Sequence, residues 1–119
     1  MLGVGGLGSM ERSRDRAAAV RDVEAYYQRV PVRGGWSLVD VQAKGGNVAV
    51  KVSLPLDKAQ SLLEKPPEDQ RNTIAVNVCP GEEIWDSIGN CDIVIHPTIA
   101  GEDIVEEVSC RSWFHLWGL

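Results

Sequence analysis

The sequence predicts an α+β domain with an N-terminal helix, a four-stranded antiparallel sheet built from two hairpins, and two or three short helices between the hairpins. Three observations support this prediction. Residues 11–29 have the spacing of an amphipathic helix, residues 48–54 alternate like a half-buried strand, and Gly45-Gly46 separates two runs rich in β-branched residues. A mixture of both periodicities in one short chain is typical of α+β folds.

The predicted first helix covers residues 11–29. Its apolar side chains recur at three- and four-residue steps, and arginines and acids occupy the other face. Val30-Pro31 and then Gly34-Gly35 are expected to end it. The apolar face consists of Ala19, Val20, Val23, Tyr26, Tyr27 and Val30.

The first hairpin combines strands at residues 36–43 and 48–54. In the second strand, valines and Leu54 alternate with Ala49, Lys51 and Ser53. Gly45-Gly46 supplies the positive φ angles that a tight hairpin turn requires.

The segment between the hairpins is predicted to be helical. Residues 56–65 form a short helix, and residues 82–89 form a helical turn. Residues 68–79 are ambiguous, because the preceding Pro66-Pro67 and the acids Glu68 and Asp69 favour a helix start. By contrast, Ile74, Val76 and Val78 alternate like a strand. We favour the helix. The apolar faces are Leu56, Ala59, Leu62 and Leu63 in the first helix and Ile84, Trp85 and Ile88 in the helical turn.

The second hairpin is predicted at residues 91–110, with Cys110 ending the last strand of the sheet. Residues 11–112 then form a single domain. Residues 1–10 are glycine-rich and form a flexible leader, either a cloning remnant or a linker left after an upstream anchor was removed. They lack the basic and apolar regions of an intact signal peptide, and no apolar run in the chain is long enough for a transmembrane segment.

The charge distribution argues against nucleic-acid binding. Residues 36–119 hold six basic and thirteen acidic residues, and no lysine or arginine lies between Arg71 and Arg111. A protein that binds a phosphate backbone needs a basic surface, which this part of the chain lacks.

The three cysteines are Cys79, Cys91 and Cys110. Cys91 and His96 are five positions apart, as are Cys110 and His115, which suggests zinc ligands. However, an odd spacing on a strand places side chains on opposite faces, so no metal and no other cofactor are expected. A Cys79–Cys110 disulfide is the favoured pairing if one forms, and it would stabilise the fold by about 3–4 kcal/mol.

The C-terminal tail, residues 113–119, is unusually aromatic. It contains five large apolar residues in seven positions. Such a segment packs on its own sheet, binds a protein partner or a second copy, or meets a membrane interface. The candidate interaction surface is Trp113, Phe114, Leu116 and Trp117.

No pattern of nucleophile, base and oxyanion donors is present, so the sequence indicates no catalytic residue. The leading hypothesis is a non-enzymatic accessory or protein-interaction domain. It could be cytoplasmic, or periplasmic as the soluble part of an envelope-anchored bacterial protein. The alternative is a cone-like α+β domain that binds a small ligand, or acts on one, in a pocket between the sheet and the first helix. The candidate pocket residues are Tyr26, Tyr27, Trp36 and His96.

We expect purified, untagged protein to contain no stoichiometric zinc, because Cys91 and His96 would point away from each other. Elemental analysis by mass spectrometry checks this. One zinc per chain that is lost in the Cys110→Ser variant would overturn the expectation.

Overall fold

The computed structural model describes residues 17–89, 91–103 and 105–117, with residues 114–117 described through their backbone alone. Its centre is a four-stranded sheet in the order β1-β2-β3-β4. The strands are β1 (Ser37–Lys44), β2 (Asn47–Leu54), β3 (Ile93–Ile99) and β4 (Val108–Ser109). The helices of the described residues are α1 (residues 17–29), α2 (Leu56–Leu63), α3 (Pro67–Val78), α4 (Glu83–Ile88) and α5 (Cys110–Trp117).

The first predicted hairpin is confirmed. Strands β1 and β2 pair antiparallel, and their register closes at Lys44↔Asn47. The two residues between them, Gly45 and Gly46, have φ angles of 58° and 85°. Glycine adopts such angles without the steric cost that other residues incur, so these two residues determine where the hairpin turns. The register shifts between Leu38 and Asp40, which leaves a β-bulge in the edge strand β1.

The prediction that the whole sheet is antiparallel is wrong. Strands β2 and β3 run parallel, in a register that extends from Val48↔Ile93 to Leu54↔Ile99. Parallel neighbours require a long connection that returns the chain to the same end of the sheet. Helices α2, α3 and α4 supply that connection, so the sheet is mixed.

The second hairpin is confirmed only in part. Strands β3 and β4 are antiparallel, but only through Val94↔Ser109 and Ile95↔Val108, and a loop rather than a tight turn joins them. Cys110 does not end the strand as predicted, because it is the first residue of α5. The side chain of Asp92 explains the change, since it accepts a hydrogen bond from the backbone N–H of Arg111 (3.0 Å) and supports the first turn of a helix.

Residues 67–78 form a helix, as favoured over the strand. Pro67 occupies the first turn, with Glu68 and Asp69 beside it, where acids interact well with the helix dipole. The strand-like alternation misleads because Ile74 and Val78 are one helical turn apart and are buried, whereas Val76 is 53% exposed on the opposite face.

The predicted apolar faces are corrected at the ends of two helices. In α1, four of the predicted residues are buried, but Val30 follows the helix and is 41% exposed. In α2, Leu56 at the first position and Leu63 at the last are 63% and 37% exposed, whereas Ala59 and Leu62 between them reach the core. The predicted face of α4 is buried in full. The buried members of the three faces are Ala19, Val23, Tyr26 and Tyr27; Ala59 and Leu62; and Ile84, Trp85 and Ile88.

The core is built on the two central strands. Val48, Val50 and Val52 of β2 are each at most 1% exposed, and Ile93 and Ile95 of β3 are completely buried. These residues lie at alternate positions, so they point to one face of the sheet. Within the described part of the chain, no helix combines the length and the apolar character needed to cross a membrane.

The Tyr27→Phe variant should lower the free energy of unfolding by about 1–3 kcal/mol, measured by urea denaturation at neutral pH. The buried Tyr27 hydroxyl donates a 2.6 Å hydrogen bond to the carbonyl of Val78, which phenylalanine would leave without that donor. An unchanged midpoint would show that water replaces the hydroxyl.

The same variant should alter the response to alkaline pH. Burial, and then the neighbouring Tyr26, raise the pKa of Tyr27 above its ordinary value of 10.0. In the unfolded chain the tyrosine loses its proton near pH 10.0, whereas folded Tyr27 retains it. Stability therefore falls as the pH rises above that value, and the fall should be shallower in Tyr27→Phe. Equal slopes would contradict this assignment.

Candidate functional site

The structure does not bring the four predicted pocket residues together. Tyr26, Tyr27 and Trp36 are part of the buried core, each at most 8% exposed. The two tyrosine rings meet edge to face, with centroids 5.4 Å apart. His96 lies on β3 next to the buried Ile95, so its side chain points to the other face of the sheet.

His96 belongs to a polar surface on that second face. Its Nδ1 lies 3.3 Å from a carboxylate oxygen of Glu107, and its side chain is 27% exposed. Lys51 is its neighbour across the β2–β3 pair. Among the described residues, no group of three histidine, cysteine or acidic side chains is placed to hold a metal ion. The surrounding depressions are lined by Asp40, Gln42, Lys44, Lys51 and Asp103.

A cleft of about 480 Å³ lies at the end of the sheet where β1 turns into β2. Cys91, the one unbridged cysteine, is among the residues that line it. None of the four predicted pocket residues takes part. The lining residues are Ala18, Gly46, Asp86, Ser87, Ile88, Gly89 and Cys91.

Helix α5 carries the predicted interaction surface, and three kinds of contact hold its first turn. The first is covalent: the sulfur atoms of Cys79 and Cys110 are 2.08 Å apart and form a disulfide bond. Cys79 follows the last residue of α3, and Cys110 is the first residue of α5. The bond therefore joins the end of one helix to the beginning of another.

The second contact is the carboxylate of Asp92. One of its oxygens accepts the backbone N–H of Arg111, and the other accepts the hydroxyl of Ser109. The backbone N–H of Asp92 in turn donates to the side chain of Asn47 (3.1 Å). Asp92 thus connects the beginning of β2 to the beginning of α5.

The third contact is the guanidinium of Arg111. One of its nitrogens donates to the carbonyl oxygens of Gly89 and Cys91, each at 2.7 Å. The guanidinium carbon also lies 4.7 Å from the centre of the Trp85 ring, within the range of a cation–π interaction. A cation at the end of α4 also faces the negative end of the helix dipole.

The predicted interaction residues are described in part. Trp113 is partly buried and packs against the core. The side chains of Phe114, Leu116 and Trp117 lie outside the described residues, so their role as a surface stays a prediction. What the structure adds is a fixed starting point for the helix that carries them.

Sequence reasoning missed Asp92 and Arg111. Asp92 gave no usable signal, because an acid at the start of a strand is common. Arg111 did give one, since it is the first lysine or arginine after thirty-nine positions that contain eight acids. An isolated cation placed just before an aromatic segment is a reason to look for a local partner.

The sequence matches no known protein-family model and no curated protein. Among solved structures, the fold is similar to a pilotin from the Vibrio vulnificus type 2 secretion system, EpsS, with a TM-score of 0.58. The similarity covers 87% of this chain and 96% of that chain, at 13% sequence identity. The two chains therefore share a fold.

The Arg111→Ala variant should lower the free energy of unfolding by about 1.5–3 kcal/mol, because two hydrogen bonds from a charged donor and a ring contact are lost. Urea denaturation followed by circular dichroism measures the change.

Arg33→Ala is a matched control. Arg33 also donates to a carbonyl near the end of a helix, at Val76, but this contact is exposed. Its removal should cost less than about 1 kcal/mol. Equal losses of unfolding free energy in the two variants would show that the position of Arg111 beside Trp85 adds nothing to stability.

Proposed function

We propose that this chain is a non-enzymatic accessory domain that acts by binding a protein partner, in an assembly of the bacterial envelope. The observation that carries the proposal is the fold similarity to a secretion-system pilotin, which extends over nearly all of both chains. A fold shared at this level of identity is compatible with other functions. Features of this chain's own residues supply further support.

The first such feature is the C-terminal helix. Five large apolar residues occur in the last seven positions of the chain, and aromatic residues of this kind are enriched where proteins bind each other. The disulfide, Asp92 and Arg111 hold the first turn of α5. A helix with a fixed first turn presents its side chains in a defined direction, which reduces the entropy lost on binding.

The second feature is the use made of reactive residue types. Cys79 and Cys110 are bonded to each other, and His96 pairs with Glu107 on the opposite face of the sheet from the core. These groups therefore serve structural contacts in separate places. That distribution favours a binding domain over an enzyme.

The third feature is the disulfide, which favours the periplasmic location over the cytoplasmic one. Disulfides form and persist in oxidising compartments such as the bacterial periplasm and are rare in the cytosol. Of the two locations that the sequence leaves open, we propose the periplasmic side of the envelope.

The binding of a small ligand is the alternative function, and the cleft beside Cys91 supports it. The two functions respond differently to the Ser87→Trp variant. An indole at this exposed position should fill the cleft without touching α5. If the variant no longer performs its role in the cell but still binds a protein partner, the ligand-binding function is favoured.

The test is affinity capture from detergent-solubilised envelopes of the source bacterium, using the immobilised full chain. We expect one or a few envelope proteins to be enriched, and their recovery to fall about tenfold or more in a Phe114→Ala/Trp117→Ala variant, as for hot-spot residues. Quantitative mass spectrometry measures the recovery.

Leu56→Ala is the control, because Leu56 is an equally apolar but 63% exposed residue on α2. It should leave recovery unchanged. Equal recovery with the unaltered chain, the double variant and Leu56→Ala would contradict the proposal. So would a result in which no envelope protein is enriched.

A truncation that removes residues 112–119 separates docking within the chain from association. A lower melting temperature at unchanged mass in solution indicates that the segment packs on its own domain. A change from dimer to monomer, measured by sedimentation velocity, indicates an interface between two copies.

A further inference from the structure

We propose that the Cys79–Cys110 bond is a redox-sensitive latch for helix α5. When the two thiols are oxidised, the bond holds the start of this aromatic helix on the end of α3. When they are reduced, α5 separates from α3 while the rest of the fold stays intact. This device goes beyond partner binding and does not depend on which partner is bound.

The place of the bond in the chain supports a latch. Cys79 directly follows the last residue of α3, and Cys110 is the first residue of α5, 31 positions later. Strand β4 leads into α5 but has only two residues. So short a strand restrains the following helix weakly, because only two residue pairs join it to β3. The covalent bond is therefore a direct link from the first residue of α5 to the end of α3, in addition to the packing of Trp113 on the core.

The other contacts of the first turn of α5 lead elsewhere. Asp92 connects it to the beginning of β3, and Arg111 connects it to the end of α4 through Gly89. Neither contact reaches α3. Opening the disulfide removes one side of the attachment and keeps the other, so α5 is expected to pivot about its first turn.

The remaining fold does not need the bond to stay closed. The central strands β2 and β3 pair over seven residues, and their inward side chains are almost completely buried. The end of α3 is also held from α1, because Tyr27 donates a hydrogen bond to Val78 and the backbone N–H of Gly81 donates to the hydroxyl of Tyr26. Reduction should therefore act locally on α5.

The two bridged cysteine residues differ in exposure. Cys110 is completely buried, whereas Cys79 is partly exposed. An external thiolate would therefore attack the sulfur of Cys79, and the thiolate of Cys110 would leave and take a proton from water. The attacking thiolate belongs to a dithiol, and the second thiol of that dithiol then displaces the sulfur of Cys79, which also gains a proton. Two electrons pass from the dithiol to the bridge, and the dithiol becomes a disulfide. Oxidation by a disulfide-carrying protein is the reverse reaction.

The experiment is hydrogen–deuterium exchange of the full chain, oxidised and then reduced with dithiothreitol. We expect amides of residues 111–117 to exchange about tenfold faster or more after reduction, and those of β2 and β3 to change less than about twofold, as local opening requires. A Cys79→Ala/Cys110→Ala variant should reproduce the reduced pattern without any reductant.

Cys91→Ser is the matched control, because Cys91 is the unbridged cysteine and its variant should retain both the oxidised pattern and the response to dithiothreitol. Three results would overturn the latch. The first is three free thiols in alkylated, denatured protein purified without reductant. The second is unchanged exchange of residues 111–117 after reduction. The third is equally faster exchange throughout β2 and β3, which would make the bond a support of the whole fold.

Loss of the latch and loss of the proposed function give different results. If the exchange experiment succeeds but no envelope protein is captured by the oxidised chain, the latch stands and the binding proposal fails. If capture succeeds equally with the oxidised and reduced chains, and exchange of α5 is unchanged, binding stands and the latch fails.

Discussion

The parallel pairing of β2 with β3 is the constraint on which the rest of the arrangement depends. It places the beginnings of the two strands at the same end of the sheet, where Asp92 meets Asn47 and Val48. Strand β4 ends beside the beginning of β3, so the chain enters α5 next to the carboxylate of Asp92. The crossover between the parallel strands also returns α3 towards this end, which brings Cys79 to Cys110. An antiparallel pair would have put these groups at opposite ends of the sheet.

The short segment between α3 and α4 is where the two outer parts of the chain converge. Helix α1 reaches it through the hydroxyl groups of Tyr26 and Tyr27, which bind the backbone at Gly81 and Val78. Helix α5 reaches it through the bond to Cys79. Because a buried hydroxyl without a partner is costly, each tyrosine specifies the position of its helix as well as filling the core. One internal segment thus sets the positions of the first and last helices.

What could be predicted from the sequence was local. Gly45-Gly46 identified the hairpin, since two adjacent positive φ angles have few other uses, and Pro67 with the acids after it identified α3. The direction in which β3 pairs with β2 could not be read, because it depends on the path of three intervening helices. Asp92 and Arg111 were missed because the groups that they bind are distant in sequence and meet them only on folding. The isolated charge of Arg111 indicated that a partner exists, but not which one. The sequence grouped Tyr26 and Trp36 with His96 because aromatic residues are common in binding sites, but it could not show that the first two lie in the core, on the opposite face of the sheet from His96.

The two edges of the sheet restrict how this molecule can associate. Strand β1 is long and mostly exposed, but its bulge near Val39 interrupts the row of free backbone groups, and charged Asp40 and Lys44 follow. Strand β4, at the other edge, has two residues. Neither edge offers a long regular template for another strand, and bulges, edge charges and short edge strands are the features by which natural proteins avoid fibrous aggregation. Association by strand addition is therefore disfavoured at both edges, so contacts with other molecules fall to side chains more than to the backbone.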